Sequence, residues 1–516
     1  MKKKQYTPKE IEDIIFMVEW SNFICLYYAE NGDEIFFDWV IKPEFEYHKD
    51  YLECVFLVKK SSKNLRILFI ISILWANIKI MKLYNELKLR FDSPIWALYP
   101  EFALFDVILT KNPKLVKIVE KDVLEGLSNS NFGRKDSPTV EQILRGAIYK
   151  EIKQLTYREL EKDMLDSKIC FDFLKLEFNQ SFSYSVMQKY ISKITETNIR
   201  AIIIEINRIA LSEGIEGIEK ISTDTTTIET NIHYPTNNSL VYDCIKIAVR
   251  LLQKIKKNKD DDDRLEKTRQ VAKKHNYQIN NSKKDDLPSL FLPYLNILRE
   301  LILESWKLRA GKPTKKLKEL LDFLPMMLKV YRNAEKYQIQ GIKVENSAKI
   351  FSVVEPHTDI IVKGQREVEF GHKTLFTRGL SGLILDHEVL EGNPSDKELL
   401  IPSIEQVIEN YKKIPESTSN DGGFCSQANL DSCKELGIKN IVFTKVTRSL
   451  KNIVSKPELE TELKKWRGGT EAVISNIKRG FGLVRVLWEG FEKFCAKVAW
   501  SVLGYNLRVM VNRMLY

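Results

Sequence analysis

The apolar positions change period several times along the chain, and each change marks an element. Val140, Ile143, Leu144, Ile148, Ile152 and Leu155 recur at three- and four-residue steps, which puts them on one face of a helix. Ser137 and Pro138 stand just before it, a cap residue and a first-turn proline. Thr156 and Glu159 have the spacing of a capping box for a second helix ending near Asp166, and a third is expected after Ser183. Residues 96–214 therefore read as helical. At 221–230 the pattern becomes dense in β-branched residues (ISTDTTTIET), which predicts a strand. Helical periodicity returns at 239–254, 288–307 and 312–338, around a highly charged stretch at 255–286. Strands are expected at 351–355, 367–377 and 382–390, the last two joined by a hairpin turn at 379–382. A helix at 401–412, a strand closing at Asp421-Gly422-Gly423, a helix at 429–436 and a strand at 441–444 follow. Helices at 465–479 and 489–513 finish the chain. Before residue 95 the runs 34–40 and 52–58 suggest short strands and carry no chemistry.

Composition narrows the class. With 516 residues the chain is long enough for two or three domains. A hydrophobic share of 44% and a charged share of 29% are those of an ordinary folded protein. The net charge of +10 fits a nucleic-acid partner without demanding one. Seven cysteines show no C-x-x-C pair and read as free thiols in a reducing compartment. The most apolar run, 67–78, is bounded by Arg66 and Lys79 and falls short of the roughly 20 residues of a membrane span. The opening Met1-Lys2-Lys3-Lys4 leads into charged residues and not into an apolar signal core. A cytoplasmic protein with no membrane partner is expected.

Three acidic residues stand out by context. Asp224 lies inside the threonine-rich strand, where a half-buried carboxylate needs a partner. Asp421 precedes a Gly-Gly pair at a strand end, and Glu471 lies on a helix. At about 100° per residue, Arg467, Glu471 and Lys478 fall within an arc of roughly 40°. That stripe sets a candidate metal ligand between two cations suited to phosphate oxygens. Each feature also has a plain structural reading: hydroxyl-bonded Asp224, turn-forming Asp421, an i,i+4 ion pair of Arg467 with Glu471. The acidic run 260–263 reads as a solvated loop or helix start, because consecutive aspartates point in several directions. His233, His357 and His372 lack the H-E-x-x-H spacing of zinc hydrolases and read as hydrogen-bonding or strand-holding residues. Glu355, Asp359 and Glu369 are reserve carboxylates.

The order of elements joins these residues. A strand with Asp, two further strands, a helix, a strand ending in Asp and a helix with Glu is the layout of an RNase H-like α/β fold with a mixed sheet. In it Asp224, Asp421 and Glu471 meet at one sheet edge, where they would hold two Mg²⁺ or Mn²⁺ ions about 4 Å apart. Oxygen ligands and a phosphate substrate favour these hard ions over Zn²⁺.

Several blocks in sequence carry a family resemblance: Ser222–Thr236 (STDTTTIETNIHYPT), Glu355–Asp359 (EPHTD), Glu369–Lys373 (EFGHK), Val389–Pro394 (VLEGNP), Asp421–Phe424 (DGGF), Arg467–Glu471 (RGGTE), Asn476–Gly482 (NIKRGFG) and Ser501–Leu507 (SVLGYNL). Together they resemble the DDE transposases of bacterial insertion sequences, in the branch with a Tyr-Arg-Glu-Lys signature. The resemblance covers about 215–512, with a looser likeness over 96–214. It implies that Asp224, Asp421 and Glu471 are the catalytic metal ligands and that Arg467 and Lys478 contact phosphates near the transposon end. Lys464 stands where the signature has Tyr, a departure that affects stacking at that position and not metal binding.

The implied activity is cleavage that frees a 3′-OH at the element's end, followed by attack of that hydroxyl on target DNA. The alternatives are a structure-selective nuclease of the same fold and a transposase-derived DNA-binding protein without catalysis. The expected organisation is an N-terminal region of unknown role (1–95), a helical region (96–214) and a catalytic domain (215–516) with a helical insertion at 236–350. The helical region suits a helix-turn-helix for DNA ends, and an ordinary helical bundle fits its pattern equally. Lys254, Lys256, Lys257, Lys273 and Lys274 of the insertion are candidates to track the DNA backbone, and pairing two ends implies a homodimer.

Overall fold

The computed structural model describes residues 94–125, 137–311, 314–362, 368–446 and 449–515. The runs 34–40, 52–58 and 67–78 lie outside the described residues.

The N-terminal described part is helical: α1 (Pro94–Leu98), α2 (Pro100–Lys111), α3 (Lys114–Leu124), α4 (Val140–Lys153), α5 (Tyr157–Asp166), α6 (Lys168–Leu174), α7 (Tyr184–Ile191) and α8 (Glu196–Ser212). The expected capping box of Thr156 and Glu159 opens α5. The cap of α4 differs from expectation. Thr139, not Ser137-Pro138, accepts from the Gln142 amide, and the Gln142 side chain accepts from the Thr139 amide in return. Satisfying two orphan donors at once outweighs a favourable proline φ. A second difference is α6, a short helix between the second and third expected ones, capped by Ser167. It occupies part of the stretch between Asp166 and Ser183, where no element is expected from the sequence.

The sheet centres on β1 (Lys220–Thr230). With β2 (Asp359–Ile361), β3 (Glu369–Arg378), β4 (Ile384–Val389), β5 (Ser417–Asn420), β6 (Asn440–Phe443) and β7 (Arg485–Val486) it forms a mixed sheet of order β2-β3-β1-β5-β6. The expected strand at 351–355 is absent. That segment turns irregularly, and the strand begins at Asp359. The reason is local, since the Ser352 hydroxyl accepts from the amides of Val354 and Glu355 and bends the chain before pairing starts.

One edge of β3 runs antiparallel to β1 from Ser222↔Arg378 to Glu229↔Gly371, and its other edge pairs with β2 and β4. Gly371 is required there, because a Cβ would stand 2.0 Å from the Ile228 carbonyl oxygen. On its far edge β1 pairs in parallel with β5 only at Lys220 and Ile221, and with β7 only at Glu229 and Thr230. Between those pairings the far edge of β1 is open.

The helix α13 (Asp396–Tyr411) follows β4, and α14 (Gln427–Glu435) connects β5 to β6. The helix α15 (Pro457–Gly480) lies along the open edge of β1, burying Leu463, Arg467, Thr470, Val473 and Ile477 on one stripe. The closing helix α16 (Phe491–Leu515) shares one apolar core with the N-terminal helices, Leu144, Ile203, Trp500 and Leu507 among its members. The insertion after β1 holds α9 (Asn237–Lys256), α10 (Lys259–Asn280), α11 (Leu287–Lys307) and α12 (Lys315–Ala334), packed around a separate core of Val241, Ile245, Tyr294, Leu298 and Leu320. The acidic run is indeed a helix start: Asn258 caps α10, and Asp260, Asp261 and Asp262 fill its first turn. Among the described residues no helix is long and apolar enough to cross a membrane, and the described cysteines are free.

Candidate active site

The open edge of β1 explains where a site forms. Beyond Ile221 the ladder to β5 stops, and β5 and β6 end at Asn420 and Phe443. The chain ends of parallel strands thus border a crevice, the usual place for a ligand in open α/β sheets. Asp224 faces it from β1, and Asp421 follows β5 directly. Helix α15 spans the opening through three bonds. Ser419 donates to the Leu463 carbonyl at 2.9 Å, Thr470 and Ser222 share a hydroxyl bond of 2.9 Å, and Lys478 donates to the Thr227 carbonyl at 2.7 Å. These fix both the position and the rotation of the helix that carries Glu471.

Arg467 sits at the centre. Its Nη2 donates to Asp224 Oδ2 at 2.8 Å and its Nη1 to Glu471 Oε1 at 2.7 Å. Asp224 also accepts from the Thr225 amide at 2.8 Å. Burial pushes the Asp224 carboxyl above the usual range; Arg467 and the Thr225 amide oppose this, while the charges of Asp421 and Asp396 reinforce it. For Asp421 burial is outweighed by the Thr444 hydroxyl, the Gly422 amide and the cations Arg467 and Lys445, so its carboxyl lies below the usual range. The Thr444 bond measures 2.7 Å. Glu471 is the most open of the three, its side chain 68% exposed against 17% for Asp224.

A cleft of about 460 Å³ opens over these groups, lined by Asp224, Thr225, Glu471, Ile474, Ser475, Lys478, Arg479 and Val484. The sequence-predicted residues Asp224, Glu471 and Lys478 thus share one cleft. Asp421 is not in its lining and reaches Asp224 and Arg467 electrostatically. Arg467 is nearly buried beneath the cleft and is engaged by two carboxylates. Among the described residues no three His, Cys, Asp or Glu side chains gather closely enough to hold a metal ion. The Arg467 guanidinium stands between Asp224 and Glu471. The donor set nevertheless fits a hard divalent cation: it is all oxygen, it already embraces a cation, and its most buried carboxyl is under-compensated.

Sequence reasoning missed Asp396. It lies in the first turn of α13, accepts from Thr225 Oγ1 at 3.1 Å and pairs with buried Lys373 at 2.6 Å. A Cβ on Gly423 would stand 2.9 Å from Asp396 Oδ2, so Asp396 packs between the segments bearing Asp224 and Asp421. The signal was available: Asn393-Pro394-Ser395-Asp396 has the cap residue and first-turn acid of a helix start. Arg378 was missed too. It is buried, lies 4.1 Å from the Trp466 ring centroid and donates to the Trp466 carbonyl at 2.7 Å, one residue before Arg467.

His357 and His372 do hold strands. His357 Nε2 bonds Glu355 at 2.6 Å, His357 Nδ1 bonds His372 Nε2 at 2.7 Å, and His372 Nδ1 reaches Asp359 at 3.3 Å. This chain of four engages the reserve carboxylates Glu355 and Asp359 and ties the turn before β2 to β3, away from Asp224. Burial and His357 hold His372 below the usual imidazole range. His233 pairs with Asp243 at 3.3 Å.

No curated protein and no solved structure matches the chain. A family model matches residues 361–507, a span that contains Asp421, Arg467, Glu471 and Lys478 and begins after Asp224 and the helical insertion. That model describes the transposase DDE domain, a domain of RNase H-like fold in a family that typically uses divalent metal ions, and the match supports a DDE transposase.

Proposed function

We propose that this protein cleaves DNA at the ends of an insertion sequence and joins the freed 3′-OH ends to target DNA. The observation that carries the reading is the shared cleft of Asp224, Glu471 and Lys478, with Arg467 bonded to both acids beneath it. Asp224, Asp421 and Glu471 are the groups that would hold Mg²⁺ or Mn²⁺. Such ions activate the attacking oxygen and stabilise the leaving one.

The chain's own residues supply positioning, which is most of what phosphoryl transfer requires. Lys478, anchored on Thr226 and Thr227 at the cleft wall, and Arg467 are the phosphate ligands of this reading. Thr444 keeps Asp421 ionised and pointed by its 2.7 Å bond. Burial of Asp224 leaves its carboxylate in need of a cation, the role a bound metal ion would fill. The helical region 96–214 is assigned to end recognition, with α7 as its DNA-facing helix. Residues 215–516 are assigned to catalysis with the insertion at 236–350, and a homodimer is assigned to hold two ends together.

The test offers a pre-cleaved transposon end and supercoiled plasmid to the full chain in Mg²⁺. Joined products that vanish in Asp224→Asn and Asp421→Asn support the proposal. Cleavage without joining leaves a nuclease, and DNA binding without either reaction leaves a binding protein.

A further inference from the structure

We infer that Arg467 is an internal counter-ion of the candidate site: its guanidinium bridges Asp224 and Glu471 until DNA phosphate draws it away, so that DNA and the divalent ion bind cooperatively. This rests on the reading of Asp224 and Glu471 as metal ligands, and adds a linkage between the two partners of the site.

The geometry supports it in three ways. First, Arg467 does not grip one carboxylate with its fork. It splits Nη1 and Nη2 between acids on a helix and a strand, at 2.7 and 2.8 Å. Oxygen lone pairs engaged by a guanidinium are not available to a cation, so the two compete for Asp224 Oδ2 and Glu471 Oε1. Second, Arg467 Nε is buried without a hydrogen-bond partner. A buried orphan donor is unfavourable, so the bridged arrangement is held by charge and leaves the guanidinium something to gain by moving. Third, the cleft directly above carries Lys478 and Arg479 on its wall. A phosphate entering there meets two cations and becomes a competing acceptor for the guanidinium fork, whose planar donors match it bidentately. Release of Arg467 bares both carboxylates at the moment substrate arrives. Linkage then requires the reciprocal effect, metal strengthening DNA binding by the same factor.

The experiment measures Mn²⁺ affinity of the full chain by electron paramagnetic resonance of the free ion. It is run with and without a short generic DNA duplex at low salt, after subtracting ion bound by the duplex alone. A generic duplex suffices because phosphate contact is independent of sequence. The wild-type chain should bind Mn²⁺ about tenfold more tightly with DNA, within the usual range of coupling between sites. Arg467→Gln should bind Mn²⁺ about tenfold more tightly than wild type without DNA, and gain nothing further when DNA is added. Arg467→Lys, whose single ammonium cannot span both acids, should fall between, and it carries the test if circular dichroism shows Arg467→Gln unfolded. An Arg467 variant with unchanged or weaker Mn²⁺ affinity and intact coupling overturns the inference while leaving the metal site standing. Absence of Mn²⁺ binding in the wild type, or binding that survives Asp224→Asn, removes the functional reading and the inference with it.

Discussion

Helix α15 contains adjacent glycines that the structure places in opposite circumstances. An added Cβ on Gly468 meets nothing within 4 Å, whereas one on Gly469 stands 2.5 Å from Arg378 Nη1 and 3.0 Å from Arg378 Cζ. Either change to alanine gains about 1 kcal/mol of helix propensity. At Gly468 that gain is unopposed, so Gly468→Ala should stabilise the helix by about 1 kcal/mol. At Gly469 the guanidinium must leave, because it is buried and already stacked on Trp466 and bonded to its carbonyl. Losing a charge-assisted bond removes about 1.5–3 kcal/mol, and losing a desolvated cation–π contact removes up to about 2 kcal/mol. Burial holds the Arg378 guanidinium below its usual pKa, so escape toward water returns part of this. The net expectation for Gly469→Ala is a destabilisation of about 1–2 kcal/mol, opposite in sign to its neighbour. A chain with several cores does not unfold in one step, so the assay is amide hydrogen exchange across α15, which reads its local opening free energy. Gly468→Ala should slow exchange there by about fivefold and Gly469→Ala should speed it by tenfold or so, as those energies convert. Two variants moving in the same direction would refute the assignment of Arg378 as the group that demands glycine.

Glu151 is buried between Lys150 at 3.0 Å and Lys497, where α4 meets α16. Burial resists its ionisation, but Lys497 and Lys150 outweigh it and hold its carboxyl below the usual range. A depressed carboxylate stabilises the fold above its unfolded pKa of about 4.3, and loses that effect as pH falls through the folded value. Glu151→Gln should therefore lower the local opening free energy of α4 and α16 by about 3 kcal/mol near neutrality, and the gap, read by amide hydrogen exchange across the two helices, should close in acid. Gly371→Ala should sever β1 from β3, since its methyl would enter the Ile228 carbonyl oxygen. Loss of the native circular dichroism spectrum, or of soluble protein, checks this, and a folded variant of wild-type stability counts against the register. In the insertion, Lys254, Lys257, Lys273 and Lys274 are exposed, while Lys256 is engaged by Glu304 at 2.7 Å and Asp261 at 3.1 Å. If the exposed four track DNA, reversing Lys273 and Lys274 should flatten the logarithmic salt dependence of binding by about 2, and reversing Lys256 should not flatten it.

The sequence alone determined most elements and the identity of the candidate acids. Local signals decide such things: the threonine run makes β1 and the Thr156 box starts α5. Three helices of the insertion were legible because they carry apolar faces that close on one another, whereas α10 lies in the charged stretch, where Leu265, Ala272 and Ile279 are its buried residues and no helical period stands out. Where equally local choices competed, sequence reading slipped. Thr139 outcompeted Ser137, and the Ser352 turn displaced a strand to Asp359.

The tertiary structure decided what lies across long sequence separations. That β1 has an open edge between Ile221 and Glu229 depends on how far β5 and β7 run beside it. No periodicity encodes that. It brought Asp224 to Arg467, so that the guanidinium bridges that strand carboxylate to its i,i+4 partner Glu471. It brought Asp396 and Lys373 against Thr225, a cluster drawn from three elements. Periodicity reports which face of an element is apolar; which charges meet is settled only when the faces pack, because each buried charge must then find its partner.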